Sequence, residues 1–104
     1  MALFDKMQQA KKLYKLQKTA RGIQKELKNT EIQAESWDDN IKVIVSADQK
    51  LQGITINPDI LSSENAKKIE KALQDAFNEA MKEAQRISVS KMKEISGDLG
   101  LPGF

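Results

Sequence analysis

The residues best suited to a chemical task are cations that recur at helical spacing near the N-terminus. They are separated by 4, 3, 3, 4 and 3 positions: Lys11, Lys15, Lys18, Arg21, Lys25 and Lys28. At about 100° per residue, this spacing gathers them on one side of an α-helix. Like charges three or four residues apart repel each other, so a helix needing only solubility would intersperse acids. Glu26 is the only acid in residues 6–30, and the row therefore suits a polyanionic partner.

Such a row matches the phosphate backbone of a nucleic acid. It spans about 25 Å of helix, and lysines bound to phosphates release condensed counterions. Lysine outnumbers arginine in the row, which favours loose phosphate contact over bidentate base recognition and predicts little sequence preference. Lys12 flanks the row. The predicted DNA-binding residues are Lys11, Lys12, Lys15, Lys18, Arg21, Lys25 and Lys28.

Three other interpretations of the basic helix stay open. A lysine-rich helical face is commonly plain solvated surface. The partner could also be an acidic protein or RNA rather than DNA. A membrane-surface helix would insert Phe4, Met7, Tyr14 and Leu16 among anionic lipids. The apolar stripe of the helix looks more like a protein contact, so we expect no membrane partner.

Composition argues against an enzyme. The 104 residues suit a single domain, 1–104, and include no cysteine and no histidine. That excludes thiol nucleophiles, disulfides, the usual zinc sites and serine or cysteine triads that depend on histidine. Asp38 and Asp39 fall in a turn, while Glu79 and Glu83 share a helix face, and we interpret both pairs as solvated surface. We predict no catalytic residue, metal, cofactor or small-molecule substrate.

Charge is distributed unevenly along the chain. Residues 1–30 hold eight cations and two anions, a net +6, whereas residues 31–104 hold nine cations and thirteen anions, a net −4. The N-terminus has no apolar signal core, and no stretch approaches the ~20 apolar residues of a membrane span. We therefore expect a cytoplasmic protein.

The pattern of apolar residues predicts a helix, three strands and a second helix. Residues 1–30 carry an apolar stripe at helical spacing, formed by Leu13, Leu16, Ala20, Ile23 and Leu27. Residues 31–57 alternate with period two, and two polar turns divide them into an antiparallel three-stranded meander. The second helix is predicted over 62–96, with Ser62 or Ser63 as its cap and Gly97 ending it. Residues 97–104 are predicted to form a flexible tail, or else to lay Leu99, Leu101 and Phe104 on a neighbouring surface.

The length of the second helix predicts an oligomer. It would be roughly 50 Å long, whereas a compact domain of this size has a radius of gyration of about 13 Å. Such a helix must protrude or pack against another chain, so we expect a homodimer. Its predicted interface residues are Leu16, Ile23, Leu27, Trp37, Leu73 and Phe77.

Several short motifs, in this order, resemble the YbaB/EbfC family of nucleoid-associated DNA-binding proteins. The most specific are the third strand and its exit, Ile54-Thr55-Ile56-Asn57-Pro58-Asp59-Ile60-Leu61, and the helix end Lys91-Met92-Lys93-Glu94-Ile95-Ser96-Gly97 with the Gly-Leu-Pro-Gly tail. The opening Phe4-Asp5-Lys6-Met7 fits as well. The resemblance covers nearly the whole chain.

The resemblance implies an α+β fold in the order α-β-β-β-α, assembled as an intertwined homodimer with paired helices projecting from a central sheet. It also implies binding of double-stranded DNA with little sequence preference, and a role in nucleoid organisation and gene regulation. Two features depart from the family. Asp38-Asp39-Asn40 stands where many members have a glycine-rich turn, and the first helix carries more lysine and less glutamate and methionine.

Overall fold

The computed structural model describes residues 2–98, with side chains from Lys6 onward except those of Ser96 and Asp98. It contains α1 (Ala2–Lys28), β1 (Glu31–Ser36), β2 (Ile41–Ser46), β3 (Leu51–Ile56) and α2 (Ala66–Asp98), with short 3-10 turns at Pro58–Ile60 and Ser63–Asn65. The predicted α+β class and the order α-β-β-β-α are confirmed. The tail predicted to be flexible lies outside the described residues from Leu99 onward.

The three strands form an antiparallel meander in the order β1-β2-β3, as the alternating pattern predicts. Val43 in the central strand pairs with Ala34 of β1 and with Ile54 of β3. Directly paired residues in a sheet project on the same side. The register therefore continues one apolar face from β1 across β2 to β3, with a shift at Ile44/Val45.

The core lies between this face and α2. Ile41, Val43 and Val45 of β2 are fully buried, and so are the small side chains of Ala76 and Ala80 on α2. Alanines at this spacing allow the helix to approach the sheet closely. Burying each large aliphatic side chain stabilises the fold by roughly 1.5–3 kcal/mol. The face of α2 that carries these alanines is thus the face that covers β1 and β2.

The turn between β1 and β2 explains why glycine is favoured there. Trp37, Asp38 and Asp39 have φ values of 51°, 51° and 65°, all in the left-handed region. Aspartate tolerates this region better than most residues, whereas a bulky side chain such as tryptophan is strained in it. Trp37 is held by packing against the core and by Lys68, whose Nζ lies 4.2 Å from the centre of the indole ring.

Both ends of α2 differ from the prediction. The side chain of Ser62 makes no capping hydrogen bond, and a 3-10 turn over Ser63–Asn65 leads into the helix. Asn65 fixes this entry because its Nδ2 donates to the carbonyl oxygen of Ile60 at 2.7 Å. Gly97 does not end the helix, which continues to Asp98. A glycine costs about 1 kcal/mol in a helix, but that cost alone does not terminate one.

The two helices extend the molecule well beyond the sheet. The hydroxyl of Ser36 donates to the carbonyl oxygen of Ala72 at 2.6 Å, which places the start of α2 at the far end of β1. Near its own end, α2 meets α1 where Lys91 Nζ lies 2.8 Å from Glu26 Oε1. The helices therefore run antiparallel in a pair that leaves the sheet. The radius of gyration is 20.4 Å and the molecule measures 75 × 21 × 16 Å.

Candidate nucleic-acid interface

The position of α1 depends on its C-terminal turns. Leu27 is buried and Ile23 is partly buried against the core, while Ile95 of α2 is buried in the region where the helices meet. All thirteen side chains of residues 6–18 are exposed, including Tyr14 at 70%. The N-terminal part of α1 consequently projects from the body of the protein as an arm.

Six of the seven predicted DNA-binding residues lie together on the outer side of α1. We call this surface the α1 cationic face, and it consists of Lys11, Lys15, Lys18, Arg21, Lys25 and Lys28, all exposed. Counted at 100° per residue, its centre lies roughly 150° round the helix from Ile23 and Leu27, so it points away from α2. Lys12 is also exposed but lies roughly 130° from that centre, on another side of the arm.

The charges of the α1 cationic face have no ion-pair partner among the side chains that the structure describes. Among the described residues, the ion pairs within 4.0 Å involve none of its six cations. Glu26 is turned towards Lys91 of α2 instead. The face therefore presents six exposed positive charges over about 25 Å, a length and charge suited to several phosphates.

A second group of cations lies on α2, and the sequence analysis missed it. The exposed side chains Lys82, Gln85, Arg86, Val89, Ser90 and Lys93 line one shallow groove, which we call the α2 cationic strip. Arg86 Nε donates to both carboxylate oxygens of Glu83, at 3.1 and 3.0 Å. That hydrogen bond lowers the pKa of Glu83 and keeps its carboxylate charged. In the sequence, the helical spacing of Lys82, Arg86 and Lys93 already indicates that these three cations lie on one side of a helix. The strip itself contains no acidic residue.

The residues predicted for a dimer interface are dispersed. Ile23 and Leu27 pack within the protomer, and Trp37 packs against its core. Leu16 is on the arm and 36% exposed. Leu73 is partly buried and Phe77 is 36% exposed on α2.

An apolar surface on β3 was not anticipated. Leu51 and Ile54 are each 49% exposed, although they belong to the sheet face that α2 covers over β1 and β2. With the partly buried Ile56 they form what we call the β3 apolar face. The α2 residues that line a groove together with β1 lie on one side of the helix. Phe77 lies roughly 150° round the helix from them, and therefore on the side towards β3.

Other kinds of site find little support in the described part of the chain. Within residues 2–98, acidic residues do not gather in any group of three or more that could hold a metal ion. Neither of the two long helices described is apolar enough over a sufficient length to cross a membrane.

The sequence is similar to a known protein family and to relatives from several bacteria. Residues 2–99 match the model of the YbaB/EbfC DNA-binding family. A nucleoid-associated protein from Clostridium kluyveri is 32% identical over 94 residues, which cover 90% of this chain and 82% of that protein. Another from Nostoc punctiforme is 39% identical over 98 residues, covering 90% and 81%.

The fold also has a solved counterpart. The crystal structure of an uncharacterized protein from Helicobacter pylori superimposes with a TM-score of 0.71, covering 80% of this chain and 87% of that one at 18% identity. At this identity the likeness concerns the fold alone. The family match extends over the helices, the sheet and the connections between them. This chain is therefore a member of the YbaB/EbfC DNA-binding family.

Proposed function

We propose that this protein is a nucleoid-associated protein, not an enzyme, that binds double-stranded DNA as a homodimer through the α1 cationic face. The observation that carries the proposal is the row of six exposed cations on one side of a projecting helix, none of them paired with an acid among the described side chains. Membership of a DNA-binding family supports DNA as the polyanion. An acidic protein or RNA is the alternative partner.

Contact through lysine makes binding largely electrostatic. Lysine offers a flexible point charge rather than the planar fork with which arginine recognises a base edge. We therefore expect binding to depend weakly on base sequence and strongly on salt. Each phosphate neutralised contributes a slope of about −0.9 to log K against log salt. Four or five contacts would give a slope of about −4.

The homodimer is inferred from the β3 apolar face. β3 is an edge strand. The unpaired backbone groups of an exposed apolar edge strand can pair with another chain. A second copy is the natural partner, because two-fold symmetry matches a surface to itself. Phe77, on the side of α2 towards β3, and Leu73 belong to the same interface in our proposal. A dimer would also present two α1 cationic faces to DNA.

The biological role follows from binding without strong sequence preference. A small cytoplasmic protein that coats or contacts many DNA sites would organise the nucleoid and influence gene regulation. The relatives from Clostridium kluyveri and Nostoc punctiforme are named nucleoid-associated proteins, which supports this location. The role needs no cofactor and no small-molecule substrate.

A charge-reversal variant tests the placement of the site. Lys11→Glu, Lys15→Glu and Lys18→Glu together change three charges on the arm, where each side chain is exposed. We expect loss of measurable binding to a mixed-sequence duplex by fluorescence anisotropy, with an unchanged circular dichroism spectrum. The matched control reverses three exposed lysines elsewhere, Lys50, Lys67 and Lys71.

The control separates local contact from net charge. If both triple variants lost affinity equally, net charge rather than the arm would govern binding, and the site would be misplaced. Unchanged affinity in the arm variant would also overturn it. Competition by an A-form RNA duplex that exceeds competition by B-form DNA would favour RNA as the partner.

A further inference from the structure

The two cationic surfaces of one protomer point in opposite directions. On α2, the residues next to α1 are Lys91, paired to Glu26, and the buried Ile95. The α2 cationic strip is centred roughly 180° round the helix from them. The α1 cationic face is likewise turned roughly 150° away from its own contact with α2. The helix pair therefore carries one positive surface on each of its outer sides.

The two surfaces also overlap along the helix axes. Glu26 and Lys91 lie side by side. Arg21, Lys25 and Lys28 of α1 flank Glu26 within about one and a half turns, and Arg86 and Lys93 of α2 flank Lys91 in the same way. A ligand on one side is thus separated from a ligand on the other by the thickness of two packed helices. That thickness is about 20 Å, from an interaxial distance of 8–10 Å and side chains on both outer sides.

We propose that the α2 cationic strip binds a second DNA duplex, so that each protomer can bridge two duplexes held on opposite sides of the helix pair. This inference rests on the proposed function, because it takes DNA as the ligand of the α1 cationic face. It adds a second site and a bridging activity. One rigid helix pair cannot present both surfaces to the same straight duplex, since they face apart.

Electrostatics permits this arrangement. Two parallel duplexes repel each other, but a gap of about 20 Å exceeds twice the ~8 Å Debye length at physiological salt. Most of the repulsion is therefore screened, and lysines on each side neutralise part of the rest. Ser90 and Gln85 add polar groups that can donate hydrogen bonds to phosphate oxygens beside the charged side chains.

The second site is the weaker of the two. The strip contains three cations against six in the α1 cationic face, and Arg86 shares its charge with Glu83. Fewer phosphate contacts mean a lower affinity and a shallower dependence on salt. Bridging should consequently require more protein than binding of a single duplex, and the two activities should separate in titrations.

A capture experiment tests the bridge. A biotinylated duplex is fixed on streptavidin beads and loaded with the full-length protein, and a second duplex with a fluorescent label is then added. The test variant neutralises the strip as Lys82→Gln, Arg86→Gln and Lys93→Gln. The matched control neutralises Lys50, Lys67 and Lys71 in the same way, and circular dichroism checks that all proteins fold.

We expect wild type and control to retain the labelled duplex and the strip variant to retain about tenfold less, from the loss of up to three phosphate contacts. Binding of the strip variant to a single duplex should change by less than about twofold. Equal capture by the strip variant and wild type would overturn the inference, as would wild type that binds the first duplex and captures none of the second. Wild type that binds neither duplex would refute the proposed function itself.

Discussion

Lys91 Nζ lies 2.8 Å from Glu26 Oε1, and this ion pair joins the end of α2 to the base of α1. Glu26 is the one acid in residues 6–30, and the pair directs its carboxylate towards α2 rather than towards the lysines of the arm. Lys91 Nζ also lies 3.5 Å from Glu94 Oε2 of its own helix. The contact thus ties the end of α2 to the base of α1 and keeps Glu26 from pairing with the α1 cationic face.

Exchanging the charges of Glu26 and Lys91 should distinguish the stability that comes from their pairing from the effect of each charge alone. We expect Glu26→Lys and Lys91→Glu each to lower the melting temperature, because each single change places like charges together. The double exchange should recover most of the loss. Thermal melts followed by circular dichroism measure all four proteins, and a double exchange no more stable than the worse single variant would contradict the pairing.

The same pair predicts a dependence on alkaline pH. The hydrogen bond to Glu26 raises the pKa of Lys91 above its ordinary 10.5. A raised lysine pKa stabilises the fold fully below the ordinary value and loses this effect as the pH rises through the raised one. The stability difference between wild type and Lys91→Met should therefore be constant from pH 7 to 9, begin to shrink near 10.5 and disappear once the pH exceeds the raised pKa. A difference that persisted there would argue for packing rather than charge.

The β1–β2 turn offers a stabilising substitution. Two effects of Glu35 raise the pKa of Asp39 above 3.8. The larger is a hydrogen bond between the two side chains, and the smaller is repulsion from the charge of Glu35. The same hydrogen bond lowers the pKa of Glu35. The protonated form of Asp39 therefore stabilises the fold fully below pH 3.8. This stabilisation is lost as the pH rises through the raised pKa. Asn cannot ionise and suits a φ of 65°.

We consequently expect Asp39→Asn to raise the melting temperature at pH 7, with the gain shrinking towards pH 3. Asp38→Asn is the matched control, since it removes a neighbouring charge at a φ of 51°. An equal gain from both substitutions would attribute the effect to net charge rather than to the contact with Glu35.

Gly22 is a third site at which stability can be changed. It lies in α1 next to the anchored Ile23, and a Cβ atom added there meets nothing within 4 Å. Because glycine costs about 1 kcal/mol relative to alanine in a helix, Gly22→Ala should stabilise α1 by up to that amount. Ala20→Gly, at another exposed position of the helix, should show a loss of similar size. Urea denaturation measures both, and destabilisation by Gly22→Ala would show that the helix bends there.

The proposed dimer can be tested on β3. Ile54→Asp places a charge in the β3 apolar face and should convert the dimer to a monomer in sedimentation experiments. Val89→Asp is matched in exposure, 48% against 49% for Ile54, and should leave the mass unchanged. A monomeric wild type, or an Ile54→Asp variant that stays dimeric, would move the interface away from β3.

Much of the fold is predictable from the sequence because each element has a clear period. Alternation over residues 31–56 fixes three strands and their order, and the alanines of α2 mark the face that covers the sheet. The helix ends are less predictable. Ser62 looks like a cap, yet the chain first makes a 3-10 turn held by Asn65, a contact that depends on the tertiary position of Ile60.

The candidate site is predictable only in part for a similar reason. The spacing of the lysines in α1 places them on one face of any helix, and the structure adds that this face points away from α2. The α2 cationic strip and the β3 apolar face depend on which surfaces the fold leaves uncovered. Ile54 has the period of a buried strand residue, and it stays exposed because α2 lies over β1 and β2.

In the proposed function, the exposed lysines of α1 bind DNA phosphates. The most direct test is binding of the wild-type protein to a mixed-sequence duplex over a series of salt concentrations. We expect log K to fall linearly with log salt at a slope of about −4, and unrelated DNA sequences to compete equally. A flat dependence on salt, or no binding at low salt, would contradict this expectation and leave the α1 cationic face as solvated surface.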